Sequence, residues 1–241
     1  MNVPSQVLTL KIDGQDVTGR ADETILQVAR ENGIFIPTLC YLDSLTPVGA
    51  CRMCLVEIKG SPRLVSACVT HIAEGIEVLT KSERLNRYRR MIVELLFSER
   101  NHICSVCVAN GHCDLQNLAR ETGVTYVDFP YRHPRLPVDA SHERFGLDHN
   151  RCVLCTRCVR VCGEIEGAHV WDVGARGIEA HIVADLDLPW GESTTCTSCG
   201  KCVQVCPTGA LFKKGLAAAE SVKHRSFLVR LTAMREEDDE R

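Results

Sequence analysis

The sequence predicts an α+β protein assembled from several small modules, and three observations predict it. Fifteen cysteines fall into four separate sets of regular spacing. The apolar period changes from two to about 3.6 along the chain. A proline-bearing stretch then divides the chain into two parts. Length alone, 241 residues, would suggest one or two domains. Aromatic residues make up only 5%, and the 45% hydrophobic content includes the cysteines, so each module has little large apolar surface to bury. Bound metal is therefore expected to replace much of the core, and a metal-free chain to be largely disordered.

Val7, Thr9 and Lys11 alternate with Leu8, Leu10 and Ile12 as a strand, and Asp13-Gly14 supplies a hairpin turn. Thr24 and Gln27 have capping-box spacing around an apolar face of Ile25, Leu26, Val28 and Ala29, and Gly33 stops that helix. Short strands are expected at 55–58, 64–69 and 76–79, completing a β-rich module over residues 1–79. From Thr80 the period is helical. Thr80 and Glu83 fit a second capping box, and Leu85, Tyr88, Ile92, Leu95 and Leu96 share one face. A further helix near 115–122 ends at Gly123, which closes a small helical module over 80–128. Pro130, Pro134 and Pro137 mark residues 129–143 as an extended linker. Residues 144–215 hold an internal repeat with a hairpin across 170–183 between its copies. Residues 216–241 are expected to form a helical tail ending in a solvated charged run, Arg235 to Arg241.

The cysteine sets carry the chemistry. Cys152, Cys155, Cys158 and Cys162 repeat the spacing of Cys196, Cys199, Cys202 and Cys206, C-x2-C-x2-C-x3-C. In this pattern three thiolates curl around one iron-sulfur cubane while the fourth faces the neighbouring cluster. The expected ligand sets are therefore exchanged: Cys152, Cys155, Cys158 and Cys206 for one [4Fe-4S] cluster, and Cys196, Cys199, Cys202 and Cys162 for the other. Pro207 completes the bacterial-type pattern after Cys206, whereas Gly163 follows Cys162. Structural zinc is the competing reading, but it favours paired C-x2-C units. Cys40, Cys51, Cys54 and Cys68 are spaced C-x10-C-x2-C-x13-C in the β-rich module, a setting for a [2Fe-2S] cluster, with Gly49 allowing close backbone approach. Cys104, Cys107 and Cys113 number only three. A third [4Fe-4S] cluster there needs a fourth ligand, for which His102 is the candidate and His112 the alternative. The other seven histidines are read as structural or solvated. Arg52, Arg157, Arg160 and Lys201 interleave with the ligands and are read as solvated or partner-facing rather than as tuning charges.

Several classes are excluded. A formal charge of −3 gives no electrostatic case for nucleic acid. Met1 to Leu10 shows no basic region followed by an apolar stretch, and the apolar run Met91 to Phe97 is broken by Glu94, far short of a membrane span. An odd cysteine count rules out complete disulfide pairing, and iron-bound thiolates need a reducing compartment, so a soluble, cytoplasmic protein is expected. No nucleophile-base arrangement, phosphate-cradling loop or dinucleotide fingerprint is present, so no catalytic residue is expected on this chain.

The stretches Gly49-Ala50-Cys51-Arg52-Met53-Cys54-Leu55-Val56-Glu57, Asn101-His102 to Gln116 and Arg151-Cys152 to Cys162 resemble the N-terminal part of the large iron-sulfur subunit of NADH dehydrogenase. The resemblance runs to about Phe212. With both cysteine quartets intact and no room for that family's molybdopterin-enzyme-like domain, the chain is more similar to the diaphorase iron-sulfur (gamma-type) subunit of NAD-reducing [NiFe] hydrogenases. The resemblance implies a β-grasp [2Fe-2S] ferredoxin-like domain, a small helical domain whose [4Fe-4S] cluster has one histidine and three cysteine ligands, and a bacterial-type two-[4Fe-4S] ferredoxin domain. It further implies a non-catalytic subunit relaying single electrons between a flavin- and NAD-binding diaphorase subunit, which holds the FMN, and the small and large [NiFe] hydrogenase subunits, in an obligate hetero-oligomer. His102 stands at H-x-C where the wider family has H-x3-C. An NAD-dependent formate dehydrogenase or a short NADH dehydrogenase is the alternative setting, and a cluster-based sensor or assembly protein the alternative class.

Overall fold

The computed structural model describes residues 6–239, with side chains described as far as Met234. Met1–Ser5 of the N-terminal reading and the side chains of the charged run from Arg235 lie outside the described residues. The chain divides into two compact units, 1–41 with 47–93, and 42–46 with 94–241.

In the first unit, β1 (Val7–Ile12) and β2 (Gln15–Arg20) form the expected hairpin. Asp13 and Gly14 take up left-handed conformations in its turn. Leu8, Leu10 and Ile12 are buried at alternate positions of β1, as a half-buried strand requires. Helix α1 (Ile25–Glu31) starts at the predicted capping box: Thr24 accepts from the Gln27 amide, and Gln27 accepts from the Thr24 amide at 2.8 Å. Its buried face is Ile25, Leu26, Val28 and Ala29. After a long loop, β3 (Leu55–Ile58), β4 (Leu64–Ser66) and β5 (Glu77–Leu79) complete a five-stranded sheet of order β2-β1-β5-β3-β4. The central β1–β5 pair is parallel and the other pairs are antiparallel. This is the β-grasp arrangement.

Helix α2 (Glu83–Glu99) departs from expectation at its start and in its face. Thr80 does not cap it, because the Asp13 carboxylate takes the Thr80 amide at 2.7 Å and hydroxyl at 2.5 Å. Ser82 caps instead, its hydroxyl accepting from the Leu85 amide at 3.1 Å. The buried stripe runs through Leu85, Arg89 and Val93, while Leu95 is exposed. Arg89 donates to the Leu55 carbonyl at 2.7 Å, so a cation occupies a position that apolar periodicity assigns to its neighbours.

In the second unit, α3 (Asp114–Thr122) ends at Gly123 in a left-handed cap, as predicted. The proline-rich stretch runs without regular structure into β6 (Val138–Asp139), which joins β7 (Phe145–Asp148) and β10 (Leu211–Lys213) in a sheet of order β10-β7-β6. The repeat contributes α4 (Arg157–Arg160), which continues directly into a π-helical turn, Val161–Glu166, and α5 (Lys201–Val205). Between them stands the expected hairpin, β8 (Trp171–Gly174) with β9 (His181–Ala184). The tail is irregular to Ser226 and helical only over α6 (Phe227–Asp239). Leu42–Thr46 folds with this unit: Leu45 is in its core, and Thr46 bonds Glu164 through its amide at 2.8 Å and Arg160 through its carbonyl at 2.8 Å.

Candidate metal centres

In the first unit, Cys40, Cys51, Cys54 and Cys68 lie on the loops between α1 and β3 and after β4. Their thiols meet in two pairs. Cys40 hydrogen-bonds Cys51, and with burial this pushes the Cys51 thiol well up; Cys68 does the same to Cys54. Backbone amides turn toward the sulfurs. The Cys40 amide donates to Cys51 Sγ at 3.3 Å, and Gly49, with φ of +61°, donates to Cys68. A loop with amides aimed inward suits an anionic group, and two thiolate pairs match the two irons of a [2Fe-2S] rhomb.

The middle set gathers in a cavity of about 310 Å³ lined by His102, Cys104, Cys107, Cys113, Arg151 and Gly209 among others. One ring nitrogen of His102 donates to the Leu96 carbonyl. The other, Nε2, is buried with no hydrogen-bond partner. Burial, reinforced by the Arg151 charge, lowers the His102 pKa to about 4, so the imidazole is neutral at pH 7 with an available lone pair. Such an orphaned nitrogen beside three thiols is what a metal ligand looks like before its metal is added. His112 is exposed and does not line the cavity. Gly209 is required by closeness, since a Cβ there would lie 2.5 Å from Cys107 Sγ.

The two quartets cross over. Cys152, Cys155, Cys158 and Cys206 line one cavity of about 340 Å³. Cys162, Cys196, Cys199 and Cys202 line another of about 330 Å³. In a regular α-helix Cys162 would stack on the same face as Cys158, one turn on; the π-turn beginning at Val161 accompanies its placement in the other cavity. Burial pushes Cys152 up to about 12 and Cys155 to about 11, and Cys158 well above the usual thiol range. Four buried thiolates repel one another unless cations sit among them, and iron supplies that charge. Among the described residues, no group of three or more His, Cys, Asp or Glu side chains is placed to hold a metal ion as it stands.

Two arginines interleaved with these ligands are not solvated. Arg157 is 2% exposed and pairs with Asp114 at 2.9 Å; Arg160 is 7% exposed and donates to the Thr46 and Cys155 carbonyls. Both oppose the burial-driven rise at Cys155, and Arg100, also buried, opposes it at Cys152. Positive charge thus acts on two thiols of the first cubane cavity, where an anionic thiolate cluster would balance it. Arg52 bonds Ser66 and Lys201 bonds Glu166. The sequence offered no signal for Arg100 or Arg151, which carry no ligand spacing of their own.

The β-grasp unit, the cysteine-histidine cavity and the crossed quartets define a multi-cluster iron-sulfur protein of ferredoxin-like modules. Comparison with known proteins places it more closely. Residues 5–83 match the 2Fe-2S iron-sulfur cluster binding domain, residues 89–128 the NADH-ubiquinone oxidoreductase-G iron-sulfur binding region, and residues 144–212 the ferredoxin-like domain of NADH-quinone oxidoreductase subunit 3. The gamma subunit of the NAD-reducing hydrogenase HoxS of Cupriavidus necator is 32% identical over 235 residues, 96% of this chain and 99% of that one. A crystal structure of NAD+-reducing [NiFe]-hydrogenase in the H2-reduced state contains a chain with a TM-score of 0.83 and 34% identity, with 92% of this chain and 94% of that chain covered. The NADPH-Fe(3+) oxidoreductase subunit alpha of Geobacter sulfurreducens is 42% identical over 208 residues, but this chain, matched over 86% of its length, spans only 24% of that protein. The chain belongs to the family of the gamma subunit of NAD-reducing hydrogenase. No helix among the described residues is long and apolar enough to cross a membrane.

Proposed function

We propose that this chain is a cytoplasmic electron-transfer subunit that relays single electrons between a flavoprotein subunit, which exchanges electrons with NAD(H), and a [NiFe] hydrogenase subunit pair. The observation that carries this reading is the near full-length likeness to the gamma subunit of a NAD-reducing hydrogenase, 96% of this chain against 99% of that one. Clusters of this kind supply one-electron redox chemistry; the chain supplies ligands, spacing and electrostatics. Cys40 with Cys51 and Cys54 with Cys68 would hold the two irons of a [2Fe-2S] cluster. His102, through Nε2, with Cys104, Cys107 and Cys113 would hold one [4Fe-4S] cluster. Cys152, Cys155, Cys158 and Cys206 would hold a second, and Cys162, Cys196, Cys199 and Cys202 a third.

The walls between the last three sites favour a relay. Arg151 and Thr208 line the His102 cavity, and Thr208 with Cys152 lines the first cubane cavity. Thr208 donates to the Arg151 carbonyl at 2.7 Å, and the Asp114 amide donates to the Pro207 carbonyl at 2.8 Å, tying the two ligand loops together. The two cubane cavities are in turn joined through the helical ligand segments from Cys158 to Cys162 and from Cys202 to Cys206. FMN and NAD belong to the partner subunit in this reading.

The test is purification of the native complex, with metal analysis and assays of hydrogen-dependent NAD reduction. Nickel with that activity, and reoxidation of this chain's reduced clusters through the bound partner, is the expected result. Molybdenum or tungsten with formate-dependent activity would overturn the hydrogenase assignment; clusters that never exchange electrons with a partner would overturn the relay.

A further inference from the structure

The chain has two tryptophans, and both line the cavity of Cys162, Cys196, Cys199 and Cys202. Trp190 is 1% exposed, and its indole Nε1 donates to Cys196 Sγ at 3.3 Å. Trp171 is 4% exposed, and its side chain acts on Cys202 to lower the thiol pKa against the larger opposing effect of burial. The two rings meet edge to face with centroids 4.7 Å apart. Packing needs an indole body; it does not need the Trp190 N–H directed at a ligand sulfur.

Trp190 is held from several sides. Its amide donates to Asp139 at 2.6 Å, and the Gly191 amide donates to Ser141 Oγ at 2.7 Å. Gly191 lies so close to this loop that a Cβ would approach the Ser141 backbone to 2.5 Å. The ring stacks on Phe145 at 5.6 Å and packs against His142 at 4.7 Å. The donor is therefore fixed before any change of charge at the sulfur. Asp139 itself holds Ser141 through its amide and hydroxyl, so one carboxylate organises the whole turn.

Adding an electron makes a cluster and its thiolates more negative. A fixed N–H aimed at a ligand sulfur stabilises the reduced form more than the oxidised one and so raises the potential. The surroundings of the other cubane differ: its cavity is lined mainly by Leu147, Val153, Ile182, Ala210 and Leu211, with buried arginines close by. Two cubanes with the same ligand spacing are thus given different local electrostatics. Cys199 is exposed, so the indole side is the enclosed side of its cluster.

We infer that Trp171 and Trp190 are positioning residues that raise the reduction potential of the cluster held by Cys162, Cys196, Cys199 and Cys202, Trp190 through indole N–H donation to Cys196 and Trp171 through its side chain acting on Cys202. The inference rests on the ligand sets proposed above. Its test uses the intact complex, reduced stepwise and followed by electron paramagnetic resonance. Trp190→Phe keeps the ring packing and removes the donor. The expected result is that the reduced-to-oxidised ratio of one [4Fe-4S] cluster at fixed potential falls about tenfold, equal to about 59 mV for one electron. Trp171→Phe moves the same cluster in the same direction, and the other clusters hold their midpoints. A second measurement needs no variant: tryptophan labelled with ¹⁵N in the indole is supplied to the unaltered chain. Hyperfine coupling of ¹⁵N to one reduced cluster is expected. Intact clusters with no such coupling and unmoved midpoints in both variants would overturn the inference. A complex without iron-sulfur signals would instead overturn the ligand sets and leave the indole role with nothing to act on.

Discussion

The β-grasp unit and the cysteine-repeat region fill their interiors with different chemistry. In the first, Leu10, Ile12, Ile25, Leu26, Val28, Val56 and Val78 are essentially inaccessible, and Cys54 and Cys68 join an aliphatic core that already closes sheet against helix. In the second, Cys158, Cys162, Cys202 and Cys206 are themselves core residues, interleaved with Val161, Val205, Leu211 and Trp190. Taking iron from the first leaves a packed sheet and helix with a loosened loop. Taking it from the second leaves core thiols without the cations that hold them together. Metal binding is coupled to folding in small metal modules, and that coupling is expected to be stronger where the ligands themselves form the core than where an aliphatic core closes beside them.

Removing one ligand from each region is expected to have opposite consequences for the fold. Cys206→Ser is expected to abolish the cluster of the other repeat's triplet, lower iron by about four per chain and leave the repeat region unable to fold to a protease-resistant state. Cys68→Ser is expected to lose the [2Fe-2S] signal while the first unit keeps its far-ultraviolet circular dichroism and cooperative melt. Equal collapse in both variants would erase the distinction.

Aliphatic substitution gives the converse. Leu10→Ala should destabilise the first unit by about 2–5 kcal/mol, read as a lower denaturant midpoint for that unit with its cluster still bound. A smaller effect is expected at the charge network beside the middle cluster. Asp114 pairs with both Arg157 at 2.9 Å and Arg225 at 3.0 Å, so Arg157→Met leaves the carboxylate one partner and should cost about 2 kcal/mol in urea unfolding. The smallest is Thr24→Ala at the head of α1, about 1 kcal/mol, seen as a slightly lower melting temperature with every cluster signal unchanged.

Much of this contrast was legible in residue order. The alternation Leu8, Leu10, Ile12 and the Thr24–Gln27 box each produced the element they predict, because both are set by residues a few positions apart. At Thr80 the same reasoning failed: Asp13, distant in sequence, captures the threonine and passes the cap to Ser82. The face of α2 failed for a related reason, since Arg89 is buried by a carbonyl that only tertiary structure presents. The gathering of each cysteine quartet, crossed at Cys162 and Cys206, follows the spacing. The orphaned Nε2 of His102, the burial of Arg157 and Arg160, and the paired indoles did not. Each depends on which polar atom a folded cavity leaves facing inward, and spacing along a chain carries no record of that.

Hydrogen exchange read by mass spectrometry, on the holo chain and on the same chain after anaerobic iron chelation, tests the contrast most directly. Amides of β1, β2, α1 and β5 are expected to keep their protection without iron while those of β7, α4, α5 and β10 lose it. Loss of protection in both regions together, or in neither, would contradict the claim that ligand cysteines make up much of the core in one and join a closed aliphatic core in the other.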